Sequence, residues 1–284
     1  MKWFNTILVA LALLLAFGST FFYLNPHPSF WILVSNLGST EFYMALLPIV
    51  YHALPRAEAL GLAIALLAAT TLTGILKDLL KLPRPPEHLW VVRAEGYEFP
   101  SGHSTGSSAF WGYLALLRPL APLIAFAAVM VVAVSTSRLM LGVHYPRDVA
   151  GGVVVGVAAA SLSYVAVRRL DTRGLTLIAV AVGSLGLVLH LVGVGALEPP
   201  SVLVGVALGE LLCSRFKLFE RPGWAYGVIG SILALALRVP ALRVGDEIPL
   251  LSIALLVLAG SLAVIAPRVS RRILGGRGEE ASSG

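Results

Sequence analysis

RAEALGLAIALLAATTLTGILK, running from Arg56 to Lys77, decides the architecture. Between its basic ends lie residues 57–76, in which Glu58 is the only charge. About 20 mostly apolar residues suffice for a helix to cross the hydrocarbon core of a bilayer. Working outward, runs of this kind recur at 3–24, 40–54, 102–117, 119–137, 147–167, 174–195, 200–214, 223–238 and 248–266. With 57–76 they make ten candidates, of which 40–54 and 200–214 are the shortest. The expected fold is therefore all-α, a polytopic membrane helix bundle of about ten transmembrane helices. The first run is too long for a signal-peptide core and reads as a retained helix. Pro28–Asn36, between the first two runs, is expected at the membrane interface.

Composition agrees. Of 284 residues, 57% are hydrophobic and 13% charged, far from the roughly one quarter charged of soluble domains. The net charge of +6 comes from basic residues flanking apolar runs, as membrane anchoring requires, and no nucleic-acid partner is expected. The single cysteine, Cys213, excludes an intramolecular disulfide and a cysteine metal cluster.

Basic residues concentrate in short loops on the cytoplasmic side of a membrane protein. An inside amino terminus puts thirteen of the 21 basic residues there, among them Lys2, Arg56, Arg118, Arg168, Arg169 and Arg215. Both termini are then cytoplasmic. Three of the other eight, Lys77, Arg84 and Arg138, belong to polar clusters with their own reason to be outside.

Those clusters interrupt an otherwise apolar chain. The first is Lys77-Asp-Leu-Leu-Lys-Leu-Pro-Arg84-Pro85, the second Pro100-Ser101-Gly102-His103, the third Ser137-Arg138-Leu-Met-Leu-Gly-Val-His144-Tyr-Pro-Arg-Asp148. The helix count brings all three to the outer face. Unpaired charge beside apolar segments is costly, and the nearby acids are few: Asp78, Glu87, Glu95, Glu98 and Asp148. A bound phosphate would supply the missing counter-charge, and arginine's planar fork suits two of its oxygens. Taken singly, each cation is equally an interfacial residue among lipid headgroups; three at this spacing favour the phosphate reading.

Pro100–His103 reads as a helix start, where free amides bind anions. Ser101 can add a hydroxyl, Gly102 lets the backbone come close, and His103 faces the anion. His144 and Asp148 form either a structural pair or an oriented nucleophile, the carboxylate holding one ring nitrogen so that the other presents its lone pair. Asp148 is alternatively a helix-start carboxylate. His190 and Glu210 lie inside predicted spans, and pairing with each other or with backbone is the simplest reading. His52 is expected at the interface.

Together, Lys77-x6-Arg84-Pro85, Pro100-Ser101-Gly102-His103 and Ser137-Arg138-x5-His144-x3-Asp148 resemble the three-part signature of the type 2 phosphatidic acid phosphatase superfamily, whose site is shared with vanadium haloperoxidases. The resemblance covers roughly Leu37–Arg168. It implies that His144 attacks phosphorus to form a phosphohistidine, Asp148 polarises His144, and His103 protonates the leaving oxygen and then activates water. Lys77, Arg84, Arg138, Ser101 and Gly102 would bind the phosphoryl group, with no metal and no cofactor. Haloperoxidases of this kind are soluble, and ten apolar segments argue against that branch.

The expectation is an integral membrane phosphatase hydrolysing a lipid phosphate or diphosphate, such as polyprenyl diphosphate, phosphatidate or phosphatidylglycerophosphate, at an extracytoplasmic site. A lipid phosphotransferase using the same histidine, and a lipid or anion transporter, are the alternatives. The domains expected are 1–168, a six-helix phosphatase core; 169–275, a four-helix membrane extension; and 276–284, a disordered tail.

Overall fold

A computed structural model describes residues 2–218, 222–245 and 247–281. Among them every regular element is helical: α1 (Lys2–Leu24), α2 (Pro28–Asn36), α3 (Thr40–Ala53), α4 (Arg56–Leu80), α5 (Gly102–Leu117), α6 (Ala121–Met140), α7 (Pro146–Arg169), α8 (Thr172–Leu191), α9 (Glu198–Arg215), α10 (Trp224–Val244) and α11 (Pro249–Ala281), with a 3-10 turn at Glu87–Leu89.

All ten expected runs are helices, but seven of them are long and apolar enough to cross a bilayer alone: α1, α4, α6, α7, α8, α10 and α11 as far as Ile273. The run at 40–54 yields the 14-residue α3, which passes only when joined to α2 across a 41° bend. The run at 102–117 yields the 16-residue α5, about 24 Å long at 1.5 Å per residue. The run at 200–214 begins at a charged, proline-containing turn, Glu198-Pro-Pro. Helix α11 continues through Ala281, so 276–281, expected as disordered tail, extends an existing helix; adding residues to a formed helix needs no new nucleus. Residues 282–284, the rest of that tail, lie outside the described residues.

Two compact units form, and they do not follow a division at 168/169. One comprises 1–42, 69–165 and 193–195, the other 43–68, 166–192 and 196–284.

In the first unit, α6 is the hub, with α1, α2 and α5 against it. Leu8 and Ala12 of α1 share a core with Leu123, Phe126, Met130 and Val134 of α6. Segment 28–36 builds a second cluster, in which Trp31 is buried with Leu141 and Val143 while Phe30, Trp90 and Val92 pack around them. That cluster seats the 81–101 loop over the end of α6. Val91 N–H donates to Leu141 O at 3.0 Å, and Gly142, at φ +71°, lets Leu89 O approach where a Cβ would stand. Gly142→Ala is expected to cost at least about 2 kcal/mol through the left-handed backbone and the collision, read as a drop in apparent Tm of the detergent-solubilised protein; an unchanged Tm would contradict this seating. On α7, Gly152 and Gly156 lie directly against the Ser101 and Thr105 carbonyls, a small-residue contact that draws two helices together and sets the start of α5 beside the start of α7.

In the second unit, α8 packs on α9, and α11 on both α9 and α10. Gly205 of α9 meets the Val257 carbonyl of α11, and Ser261 Oγ donates to Gly205 O at 3.0 Å. Glu210, fully buried, is satisfied by Tyr51 Oη at 2.6 Å, by Arg268 Nη2 at 2.7 Å and by Arg56 Nε. His190 is not its partner. Helices α8 and α9 are joined by a short loop, so position 190 opposes the first turn of α9 and lies far along the axis from 210. His52 is buried as well, bonded through its ring to Ala263 O at 2.8 Å.

Candidate active site

The three polar clusters converge within the first unit. Lys77 leaves the last turn of α4, Arg84 the following loop, His103 the first turn of α5, Arg138 the last turn of α6, and His144 and Asp148 flank Pro146 at the start of α7. The same three cations, Arg84, Arg138 and Lys77, act electrostatically on both imidazoles, and His103 acts on His144. His144 and Asp148 are buried.

His144 faces a cation on one side and a carboxylate on the other. Its Nε2 is 3.3 Å from Arg84 Nη1, and its Nδ1 is 3.6 Å from Asp148 Oδ2. That second distance is an ion-pair contact, longer than the hydrogen bond the sequence led us to expect. The reason is competition: Asp148 Oδ2 accepts from Tyr145 N–H at 2.7 Å, closing the helix start in the manner of a capping box. Asp148 is thus both the helix-start carboxylate and the group beside His144. His144 Nδ1 and Asp148 Oδ1 have no hydrogen-bond partner; such contacts in ligand-free sites commonly tighten when substrate arrives. Burial, then Arg84, Arg138 and Lys77, hold His144 far below the ordinary imidazole value, at about 2. The ring is therefore neutral, the form in which one nitrogen carries a free lone pair. Imidazole NMR of the ligand-free protein is expected to show no protonation of His144 between about pH 5 and 8, the range in which an unperturbed histidine titrates; a midpoint near 6.5 would refute the cation-lined setting.

Arg84 and Lys77 are held by carbonyls, Arg138 by a hydroxyl. Arg84 donates to Gly96 O (3.0 Å), Glu95 O (2.9 Å) and Val143 O (2.9 Å), so it also fastens the 81–101 loop to the segment before His144. Lys77 donates to Tyr97 O and Glu98 O. Arg138 donates through Nη1 to Ser35 Oγ at 2.7 Å, while its buried Nε has no hydrogen-bond partner.

Helix α5 opens here. Its first intrahelical bond runs from Thr105 N–H to Ser101 O at 2.9 Å, so the amides of Gly102, His103 and Ser104 precede it. Ser101 makes no side-chain cap; its Oγ instead accepts from Ser104 Oγ at 3.3 Å, which accepts in turn from Ser135 Oγ at 3.1 Å. A Cβ on Gly102 would meet only Thr73 Cγ2, at 3.9 Å, leaving that side of the backbone open.

Two contributors escaped the sequence reading, Ser35 and Gly38, and two others were named there without this pairing. Glu98, fully buried, pairs with Arg147, whose Nε lies 3.5 Å from Asp148 Oδ1; both residues adjoin the motifs, and that proximity was the available signal. Ser35 holds Arg138 from a largely apolar helix. Gly38 leaves room for the His103 ring, whose Cδ2 would stand 3.3 Å from a Cβ there.

Fold and site together define a polytopic helical membrane protein with a buried, cation-lined polar centre. The sequence profile described as the PAP2 superfamily matches residues 58–171. The decaprenylphosphoryl-5-phosphoribose phosphatase of Mycobacterium tuberculosis (strain H37Rv) is 30% identical over 137 residues, covering 46% of this chain and 68% of that protein. Phosphatidylglycerophosphatase B of Bacillus subtilis is 30% identical over 138 residues, 44% of this chain and 67% of that one. The crystal structure of a transmembrane PAP2-type phosphatidylglycerolphosphate phosphatase from Bacillus subtilis aligns at a TM-score of 0.47 and 22% identity, over 60% of this chain and 95% of that one. The chain belongs to the PAP2 superfamily, and these relatives are phosphatases.

Proposed function

We propose that this protein hydrolyses a lipid phosphate or diphosphate, such as polyprenyl diphosphate, phosphatidate or phosphatidylglycerophosphate, through a phosphohistidine on His144. The carrying observation is that a buried, neutral His144 stands between Arg84 and Asp148, with Lys77 and Arg138 acting on the same ring. Nδ1–H points at Asp148, which leaves the Nε2 lone pair to attack phosphorus. Burial and the three cations keep His103 neutral in the ligand-free site, and it gains a proton as the anionic substrate offsets those cations. As the N–P bond forms, the bond from phosphorus to the lipid-side oxygen breaks, and His103 gives that proton to the oxygen. Neutral His103 then takes a proton from water, whose oxygen displaces His144 and releases phosphate. Lys77, Arg84, Arg138, the α5 amides at Gly102 and the Ser101 hydroxyl bind the equatorial oxygens. Phosphoryl transfer depends mainly on positioning and charge stabilisation; three cations supply the charge that metal ions supply elsewhere, so the reaction is metal-independent.

The chemistry belongs to residues 1–168, with 169–275 an extension. Both termini are cytoplasmic and the site opens on the extracytoplasmic face, a reading supported by the distribution of basic residues. The test is phosphate release from a panel of lipid phosphates in detergent, with chelator present. Release by wild-type protein is expected. Loss in chelator restored by a divalent ion would overturn the metal-free mechanism, and the absence of release without an added lipid acceptor would favour a phosphotransferase.

A further inference from the structure

Lys77 and Asp78 are neighbours on the last turn of α4, about 100° apart around the helix, and they are fastened separately. Lys77 donates to the Tyr97 and Glu98 carbonyls at the site. Asp78 Oδ2 accepts from Gly195 N–H at 2.7 Å. Gly195 belongs to the loop between α8 and α9, and the tip of that loop, 193–195, falls within the same compact unit as the site. Gly193 and Gly195 turn the tip with φ of +85° and +88°, and a Cβ on Gly195 would lie 3.0 Å from Ile75 Cγ1. Ile75 and Asp78, three residues apart, share one helix face. The tip therefore grips α4 twice, by packing and by a hydrogen bond from backbone N–H to a side-chain oxygen. Just beyond, α4 ends at Lys81, at φ +49°, whose N–H returns to Lys77 O at 2.9 Å.

We propose that Asp78 is a positioning residue for the phosphate site: its bond to the Gly193–Gly195 strap sets the last turn of α4 and so the placement of the Lys77 ammonium. The proposal rests on the reading of Lys77 as a phosphate ligand. It assigns to a loop beyond residue 168 a part in substrate binding, and to Asp78 a role carried by its oxygen as an acceptor rather than by its charge.

The experiment measures binding of orthovanadate, a phosphate mimic, to the full-length detergent-solubilised protein, alongside phosphate release. Asp78→Ala is expected to weaken vanadate binding about tenfold, roughly the worth of one hydrogen bond. Asp78→Asn, which keeps a carbonyl acceptor for Gly195 N–H, should bind within about twofold of wild type. In a Lys77→Met background, Asp78→Ala should have no further effect, because residues acting through one another are not additive. If Asp78→Ala does not fold, Asp78→Glu replaces it, with a weakening of at least about threefold expected from the displaced acceptor. Wild-type binding by Asp78→Ala or Asp78→Glu, equal loss in Asp78→Asn, or a full Asp78→Ala effect without Lys77 would each overturn the proposal. Binding is read without turnover, so a wild-type protein that binds vanadate with this dependence yet releases no phosphate would sink the hydrolase reading alone.

Discussion

Replacing His144 by alanine is expected to lower phosphate release from a lipid phosphate by at least about a hundredfold, the lower end for removing a group that takes part in bond making, while leaving the protein folded. The size follows from the geometry. Among the described residues the other imidazole at the site is His103, on the first turn of α5, and the proposed mechanism assigns it to the leaving oxygen. The ring of His144 is neutral and flanked by Arg84 and Asp148, so in the proposed mechanism its removal would delete the covalent step and leave the cation cradle to polarise phosphorus. That cradle should keep binding orthovanadate, which separates lost chemistry from lost structure. Acid-quenched wild-type protein given labelled substrate should carry acid-labile label that His144→Ala lacks. Turnover by His144→Ala within about tenfold of wild type would rule out the histidine as nucleophile.

The second large effect is expected at Arg138. It is buried, anchored by Nη1 to Ser35 Oγ, and its Nε has no hydrogen-bond partner. A buried charged donor without an acceptor is costly, and a phosphoryl oxygen is the acceptor that would satisfy it. Arg138→Ala should lower kcat/KM about 10²–10³-fold, as loss of a preorganised donor to developing charge does. Arg138→Lys should recover little of it, because an ammonium cannot reproduce the planar fork that reaches Ser35 with one nitrogen and phosphate with another. Equal rates for Arg138→Lys and wild type would mean that charge alone suffices and that the Ser35 anchor is idle. Ser35→Ala separates these readings further: a modest loss, mostly in KM, is expected when the guanidinium is merely less well held.

The class of fold, and the gathering of Lys77, Arg84, His103, Arg138, His144 and Asp148 in one place, were legible in the sequence. Bilayer thickness demands apolar runs of fixed length, and polar residues confined to three short clusters stand out against them. What could not be read was how many runs cross alone. Helix α3 is 14 residues and depends on α2 across a bend, and bends depend on what each side packs against. Nor could the burial of Trp31 be read, because Leu141 and Val143, which cover it, lie more than a hundred positions away. His190 and Glu210 looked like natural partners because both are polar and embedded; helix direction decided otherwise, delivering Tyr51, Arg56 and Arg268 to Glu210.

The sequence by itself determined that this is a helical membrane protein and which polar side chains interrupt its apolar runs, because hydrophobic length and motif spacing are local properties of the chain. Only the tertiary structure decided what each of those side chains touches: Asp148 divided between its own helix start and His144, Arg84 tying a loop to the segment before His144, Ser35 anchoring Arg138, and a glycine strap from the α8–α9 loop fastened beside Lys77. Those contacts join residues up to 117 positions apart, and such pairings are chosen by the packing of whole helices, which no stretch of sequence encodes alone.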